Sequence, residues 1–168
     1  YDIPLKNNFK MLRPLIVAKI LQLLEINSNS NVLEIGTGSG YLTCCLSIIG
    51  KTVDTVDINK SMLDAAKNVH DKYNIYNINY FHKDVFSNWV PEKKYDIIVI
   101  TGAVESRLEK LEQILNQNGK MFIVIGNYPV MNVNIIEKVS ENKLICEQSF
   151  ETVIDHLINN NKKNILNF

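Results

Sequence analysis

Residues 31–45, NVLEIGTGSGYLTCC, put an apolar run of strand length directly before glycines at positions 36, 38 and 40, and a helical pattern directly after them. A strand that turns at once into a helix rejoins its sheet in parallel, through a right-handed crossover. The stretch therefore commits the chain to α/β architecture, and the remaining sequence repeats the theme. Pro14 suits the first turn of a helix over 15–24, which NSNSN at 27–31 breaks. VLEIG (32–36) reads as a strand, 41–49 as a helix and 51–58 as a second strand ending at Asp57. Asn59 or Ser61 can cap a helix that runs to about Asp71. Further strands are expected at 78–84, 95–101 and 120–127, with a helix over 107–115 and a stop at Asn118 and Gly119.

The pattern changes after Asn127. VNIIEKVSENKLICEQSFETVI reads as two strands joined at SENK, with no helix between them. The expected fold is a doubly wound α/β sheet, Rossmann-like and mostly parallel, with helices on both faces and an antiparallel β-hairpin at its end. One domain over 1–155 is expected, followed by a polar, asparagine-rich tail over 156–168.

Composition narrows the partners. Eighteen Lys plus Arg balance eighteen Asp plus Glu, so no overall field favours nucleic acid or an anionic membrane. No apolar run approaches the roughly 20 residues of a membrane helix, and no basic-then-apolar leader is present, so a cytoplasmic protein is expected. Cys44, Cys45 and Cys146 are expected to be small buried apolar residues, with no metal site. His70, His82 and His156 are scattered singly and read as surface or strand residues.

In open α/β sheets ligands bind beyond the carboxyl ends of the strands, where glycine lets the backbone bend and approach. A phosphate-gripping P-loop does not fit: GKT at 50–52 lacks the earlier glycine and leads into a strand. A dinucleotide fingerprint wants its third glycine three residues after the second, where Tyr41 stands. That spacing leaves an NAD-dependent oxidoreductase as a rival. The third class is a nucleoside with an amino-acid tail and no phosphate. Glu34 stands beside the loop, Asp57 can accept from both ribose hydroxyls, and Asp84 can accept from an adenine amino group. Three such acids fit a cationic cofactor, S-adenosyl-L-methionine.

The segments VLEIGTGSGYLT, VDI, KDV, YDIIVITGA and LNQNGKMFIVIG resemble the class I S-adenosylmethionine methyltransferases, and most closely the protein-L-isoaspartate O-methyltransferase family. The likeness extends upstream through IPLKNNFKMLRPLIVAKILQLLEI, and downstream through VIGNYPVMNVNIIEKVSENKLICEQSFETVI, which is similar to a bacterial branch. It implies methyl transfer to a carboxylate of a protein or peptide, and an N-terminal helical segment ahead of Tyr1. The expected cofactor contacts are Glu34, Gly36, Gly38, Ser39 and Gly40 around the methionine part, Asp57 on ribose and Asp84 near adenine, with Thr37, Ile58 and Val85 beside them. Thr101, Gly102 and Ala103, expected just past the fourth strand, would line the methyl-transfer mouth. No catalytic base is assigned, because a carboxylate acceptor is already ionised at neutral pH.

One departure from the family stands out. Where it carries a Gly-x-Gly-Gln-Thr-Ile-Ser type segment this chain has KNNFKML, and Leu12 falls at the serine. Leucine cannot hydrogen-bond a substrate carboxylate. The alternative is a cofactor-binding protein of the same fold that has lost isoaspartyl activity or takes a different acceptor.

Overall fold

The structure, a computed structural model, describes Ile3, Pro4 and residues 10–159. Its elements are α1 (Pro14–Leu23), β1 (Asn31–Ile35), α2 (Tyr41–Ile49), β2 (Thr52–Asp57), α3 (Lys60–Lys72), β3 (Ile78–His82), β4 (Tyr95–Val104), α4 (Glu109–Glu112), β5 (Leu115–Asn127), β6 (Val130–Ser140) and β7 (Lys143–Glu151). The strands form a 7-stranded sheet in the order β3-β2-β1-β4-β5-β6-β7. The first five are parallel, and β6 and β7 add antiparallel pairs. The doubly wound fold with a terminal hairpin is thus present as expected.

Strand periodicity divides the core in two. On one face Ile16, Val17 and Ile20 of α1 and Leu42 and Leu46 of α2 pack with Val32, Val53, Ile97, Val99 and Phe122. On the other, Leu33, Val56, Ile98, Ile100 and Met121 meet Val85 and Leu111. Because β1 and β4 are central, both faces of each are covered, and they read as apolar runs rather than alternations, broken in β1 by the buried Glu34. Among the described residues no helix is long and apolar enough to cross a membrane.

Several boundaries differ from expectation. The helix expected over 107–115 is reduced to Glu109–Glu112. Leu108 at its N-cap offers no side-chain bond, and the Ile114 carbonyl accepts from the Tyr95 N–H, drawing the following residues into β5. Arg107 forms a two-pronged ion pair with buried Glu112 instead, at 2.7 Å on both prongs. Asn118 and Gly119 do not end an element. They lie inside β5 with Asn118 at φ 62°, in an irregularity where β4 pairing jumps from Tyr95↔Leu115 to Ile97↔Lys120. Thr101, Gly102 and Ala103 lie within β4 rather than past it, since Ala103 pairs with Val124. Cys146 is exposed, not buried: among the described residues β7 is an edge strand, and its faces there are exposed. Cys44 and Cys45 are only partly buried.

Candidate functional site

The glycine loop opens onto a crevice of about 250 Å³ at the carboxyl ends of β1, β2 and β4. Gly36, Gly38, Asp57, Ile58, Asp84, Val85 and Thr101 all line it, so residues 65 positions apart in sequence are brought together. Glu34, Thr37 and Ser39 line a smaller recess beside the loop, which shares Gly36, Gly38 and Thr101 with the crevice. Gly40 lines neither space. It is the N-cap of α2, with φ 80°, and a Cβ there would stand 2.7 Å from the Ala66 Cβ.

All the loop glycines have positive φ, 98°, 53° and 80° at 36, 38 and 40, which side chains rarely tolerate. Bonds from neighbouring strands hold the shape. Gly36 N–H donates to the Val56 carbonyl, and the Thr101 hydroxyl shares its proton between the carbonyls of Ile35 and Gly36 at 2.9 and 2.7 Å. Gly38 N–H donates to Asp57 Oδ2 at 3.1 Å, while Asp57 Oδ1 accepts from the Asn59 N–H at 2.8 Å. Asn59 in turn caps α3 by accepting from the backbone of Ser61 and Met62, as the sequence suggests. One carboxylate thus links the loop to the start of α3.

Glu34 is buried beneath the loop. Its Oε2 accepts from Thr43 at 2.5 Å and from Thr55 at 2.6 Å, and Thr55 is itself 2.6 Å from the Thr37 hydroxyl. Among the described residues its Oε1 has no hydrogen-bond partner. Burial pushes the carboxyl up to about 7, against the two threonine donors, which lower it, and with a further rise from Asp57. Glu34 is therefore a buried acid poised to ionise when something satisfies its free oxygen.

Asp84 closes the far side. Its Oδ1 accepts from the Phe86 N–H at 2.8 Å, and its Oδ2 accepts from the Asn159 carboxamide, also at 2.8 Å. That bond belongs to a stretch of chain whose place at the crevice the sequence does not announce. After β7, residues 152–158 line the crevice opposite the glycine loop. His156 makes an isolated parallel bridge to Ala103, Leu157 N–H donates to the Ala103 carbonyl, and Gly102 has no room for a Cβ because the Leu157 side chain lies 2.7 Å from where it would be. The rest of the expected tail, 160–168, lies outside the described residues. On the near side, Met11 and Leu12 line the crevice and the Lys10 N–H donates to Asp155 Oδ2. Residues 5–9, which hold most of KNNFKML, are outside the described residues.

His70 is the other residue the sequence reading misplaces. Expected on the surface or in a strand, it is buried in α3, with both ring nitrogens engaged. The signal was there: Met62, Ala66 and His70 recur every four residues on one helix face.

A sequence model of the family described as protein-L-isoaspartate(D-aspartate) O-methyltransferase (PCMT) matches residues 2–161. A protein-L-isoaspartate O-methyltransferase of Vibrio campbellii is 40% identical over 124 residues, covering 74% of this chain and 60% of the relative. One from Aliivibrio fischeri is 34% identical over 139 residues, covering 83% of this chain and 67% of the relative. This chain therefore spans about 60% of the length of the first of these curated relatives. Among solved structures, a Plasmodium falciparum protein assigned to the same family, in complex with S-adenosyl-L-homocysteine, superposes with a TM-score of 0.82 at 21% identity, covering 93% of this chain and 79% of that one. A tRNA (m1A58) methyltransferase of Aquifex aeolicus superposes with a TM-score of 0.61 at 22% identity, covering 84% of this chain and 66% of that one, a likeness of fold alone. With the family model matched over nearly its whole length and the expected sheet, loop and hairpin present, the chain belongs to the protein-L-isoaspartate(D-aspartate) O-methyltransferase family.

Proposed function

We propose that this chain binds S-adenosyl-L-methionine in the crevice and directs its methyl group to a carboxylate of a protein or peptide, the isoaspartyl side chain being the first acceptor to test. The observation that carries the reading is the glycine loop held between two acids, Asp57 at the tip of β2 and buried Glu34 with its unpartnered Oε1. A buried, unsatisfied carboxylate oxygen asks for a cation or a proton, and the ammonium of the cofactor's methionine part is a cation of the right reach. Asp57 donates nothing and keeps lone pairs free for ribose hydroxyls after accepting from Gly38 and Asn59. The apolar side chains of Ile58, Met62 and Val85 suit the faces of a purine. A pyrophosphate would meet Asp57 and Asp84 as like charges, which weighs against NAD.

When bound, the cofactor supplies an electrophilic methyl group together with its own leaving group. The work left to the chain is alignment. The loop fixes one end of the ligand, Asp57 its middle and the segment ending in Leu157 the wall beside Gly102, so that Thr101 and Gly102 border the methyl-transfer mouth, while Ala103, expected there too, is buried in the core. A carboxylate acceptor has no proton to lose, so no side chain has to remove one. A titration with S-adenosylhomocysteine and then with NAD tests the cofactor class: binding of the first and not the second is expected, and the reverse would overturn it. Asp57→Ala should weaken S-adenosylhomocysteine binding by about 1–3 kcal/mol, the worth of hydrogen bonds to a charged acceptor, and should also lower Tm, because the Gly38 and Asn59 N–H groups lose their acceptor. Unchanged affinity would remove ribose from Asp57.

Leu12 bears on the acceptor. It lines the crevice and packs against the core, and it offers no donor where the family carries a serine hydroxyl. Family membership favours an active enzyme over a module that only binds the cofactor. Label transfer from S-adenosylmethionine to an isoaspartyl peptide is therefore expected for the protein as it stands. Leu12→Ser should raise kcat/KM by about tenfold, since a hydrogen bond to a charged group contributes roughly 1.5–3 kcal/mol. No transfer by the wild type, with transfer by Leu12→Ser, would favour the binding module instead.

A further inference from the structure

The glycine loop has no side chains at 36, 38 and 40 with which to hold itself, so each glycine depends on a group from another element. Thr101 of β4 holds Gly36 and Asp57 of β2 holds Gly38. The support of Gly40 comes from α3, and it is a histidine. His70 is 2% exposed, with Nε2 2.9 Å from the Gly40 carbonyl oxygen and Nδ1 2.6 Å from the Tyr80 hydroxyl on β3. We propose that His70 is a positioning residue for the cofactor loop: its Nε2–H clamps the Gly40 carbonyl and sets the last glycine and first turn of α2, while Tyr80 fixes the ring's tautomer. The proposal rests on the cofactor reading given above.

Hydrogen-bond chemistry fixes the direction of each bond. A carbonyl oxygen only accepts, so Nε2 must carry the proton; in the neutral ring Nδ1 is then the acceptor, and the Tyr80 hydroxyl donates to it. Burial first, then the charges of Asp71 and Glu34, push the Tyr80 phenol up to about 12, so it keeps its proton at working pH. Gly40 is where this contact matters most. Its carbonyl also accepts the Cys44 N–H at 2.9 Å, the first bond of α2, and its N–H donates to Thr37 at 2.8 Å. One residue therefore joins the loop, the helix and the ring. The fit is close as well, since a Cβ at position 40 would stand 2.9 Å from the His70 Cε1 and 3.0 Å from Nε2. With both nitrogens engaged and no face on the crevice, the ring is not placed to act as a base. Its leverage on the site passes through Gly40.

The test compares His70→Phe, which keeps an aromatic ring but donates nothing, with His70→Gln, whose amide can still donate to Gly40 and accept from Tyr80. Calorimetry with S-adenosylhomocysteine should give a Kd about tenfold higher for His70→Phe and within about threefold of wild type for His70→Gln, a difference of one hydrogen bond. In assays with the cofactor varied, His70→Phe should raise the KM for S-adenosylmethionine while leaving kcat, read at saturating cofactor, near wild type. A wild-type Kd in His70→Phe, or equal weakening in both variants, overturns the proposal. If His70→Phe does not fold, Tyr80→Phe takes its place: affinity lowered about threefold or more supports the clamp, and unchanged affinity overturns it. Failure of the wild type to bind S-adenosylhomocysteine would count against the cofactor reading alone. The clamp is then read by hydrogen exchange at amides 38–44, where faster exchange in His70→Phe than in His70→Gln supports it and equal exchange overturns it.

Discussion

Gly36→Ala is expected to weaken S-adenosylhomocysteine binding on the order of a hundredfold. Two costs combine. At φ 98° an L-residue is strained, by about 1–2 kcal/mol on the scale of a left-handed helical residue. The new Cβ would also stand 2.1 Å from the Thr101 Oγ1, an overlap that cannot persist. Relief requires Thr101 to turn away, which breaks the one hydrogen bond its hydroxyl shares between the Ile35 and Gly36 carbonyls, a contribution of about 1 kcal/mol. The sum, about 2–3 kcal/mol, falls on the loop the cofactor needs. Thr101→Ala alone should cost less than about tenfold, because it removes that bond without the overlap. Combined with Gly36→Ala it should recover part of the loss, since the remaining neighbours, the Thr101 Cβ and the Leu157 Cδ2, lie at an ordinary 3.5 and 3.7 Å. A double-mutant cycle by calorimetry measures that coupling, and strictly additive losses would show that the overlap is not what matters.

Local rules account for what the sequence disclosed. The parallel core follows from apolar runs alternating with helical patterns, the start of α3 from Asn59 as a cap, and the hairpin from a four-residue polar break between β-rich runs. Each is decided within about ten residues of chain. What the sequence did not disclose depends on contacts between distant segments. The short α4 results from β5 claiming Leu115 for a pairing with Tyr95, and β4 runs on through Val104 because Val124, Ile125 and residues 155–157 pair with its end. The polar stretch at the chain's end gives no local sign that Leu157 will lie against Gly102 or Asn159 against Asp84. His70 falls between the two cases. Its place on the buried face of α3 is written in the spacing, whereas its partner, Gly40, lies 30 residues earlier. The candidate acids were likewise visible as residue types, but their division of labour was not. Asp57 spends part of its capacity on the loop, and Glu34 is enclosed among threonines rather than displayed at the rim.

That enclosure makes Glu34 the group through which pH should act on both stability and binding. Its carboxyl is raised from 4.5 to about 7, chiefly by burial, so the folded state prefers it protonated. Its contribution to stability is complete below about pH 4.5 and is lost as pH rises through about 7. At about 1.4 kcal/mol per unit of pKa, the loss is on the order of 3 kcal/mol. Urea unfolding of the free protein between pH 5 and 8 should show the decline, and Glu34→Gln should flatten it. Cofactor binding should run the other way. An ammonium placed against the unpartnered Oε1 stabilises the carboxylate, so binding expels the proton and affinity should rise about fivefold between pH 6 and 7, then level off. Calorimetry of S-adenosylhomocysteine in two buffers of different ionisation heat would register that proton leaving near pH 6, and Glu34→Gln should bind more weakly at pH 7.5 with no such release. If wild type and Glu34→Gln share one pH profile, the acid keeps its proton in the complex and the ammonium lies elsewhere in the crevice.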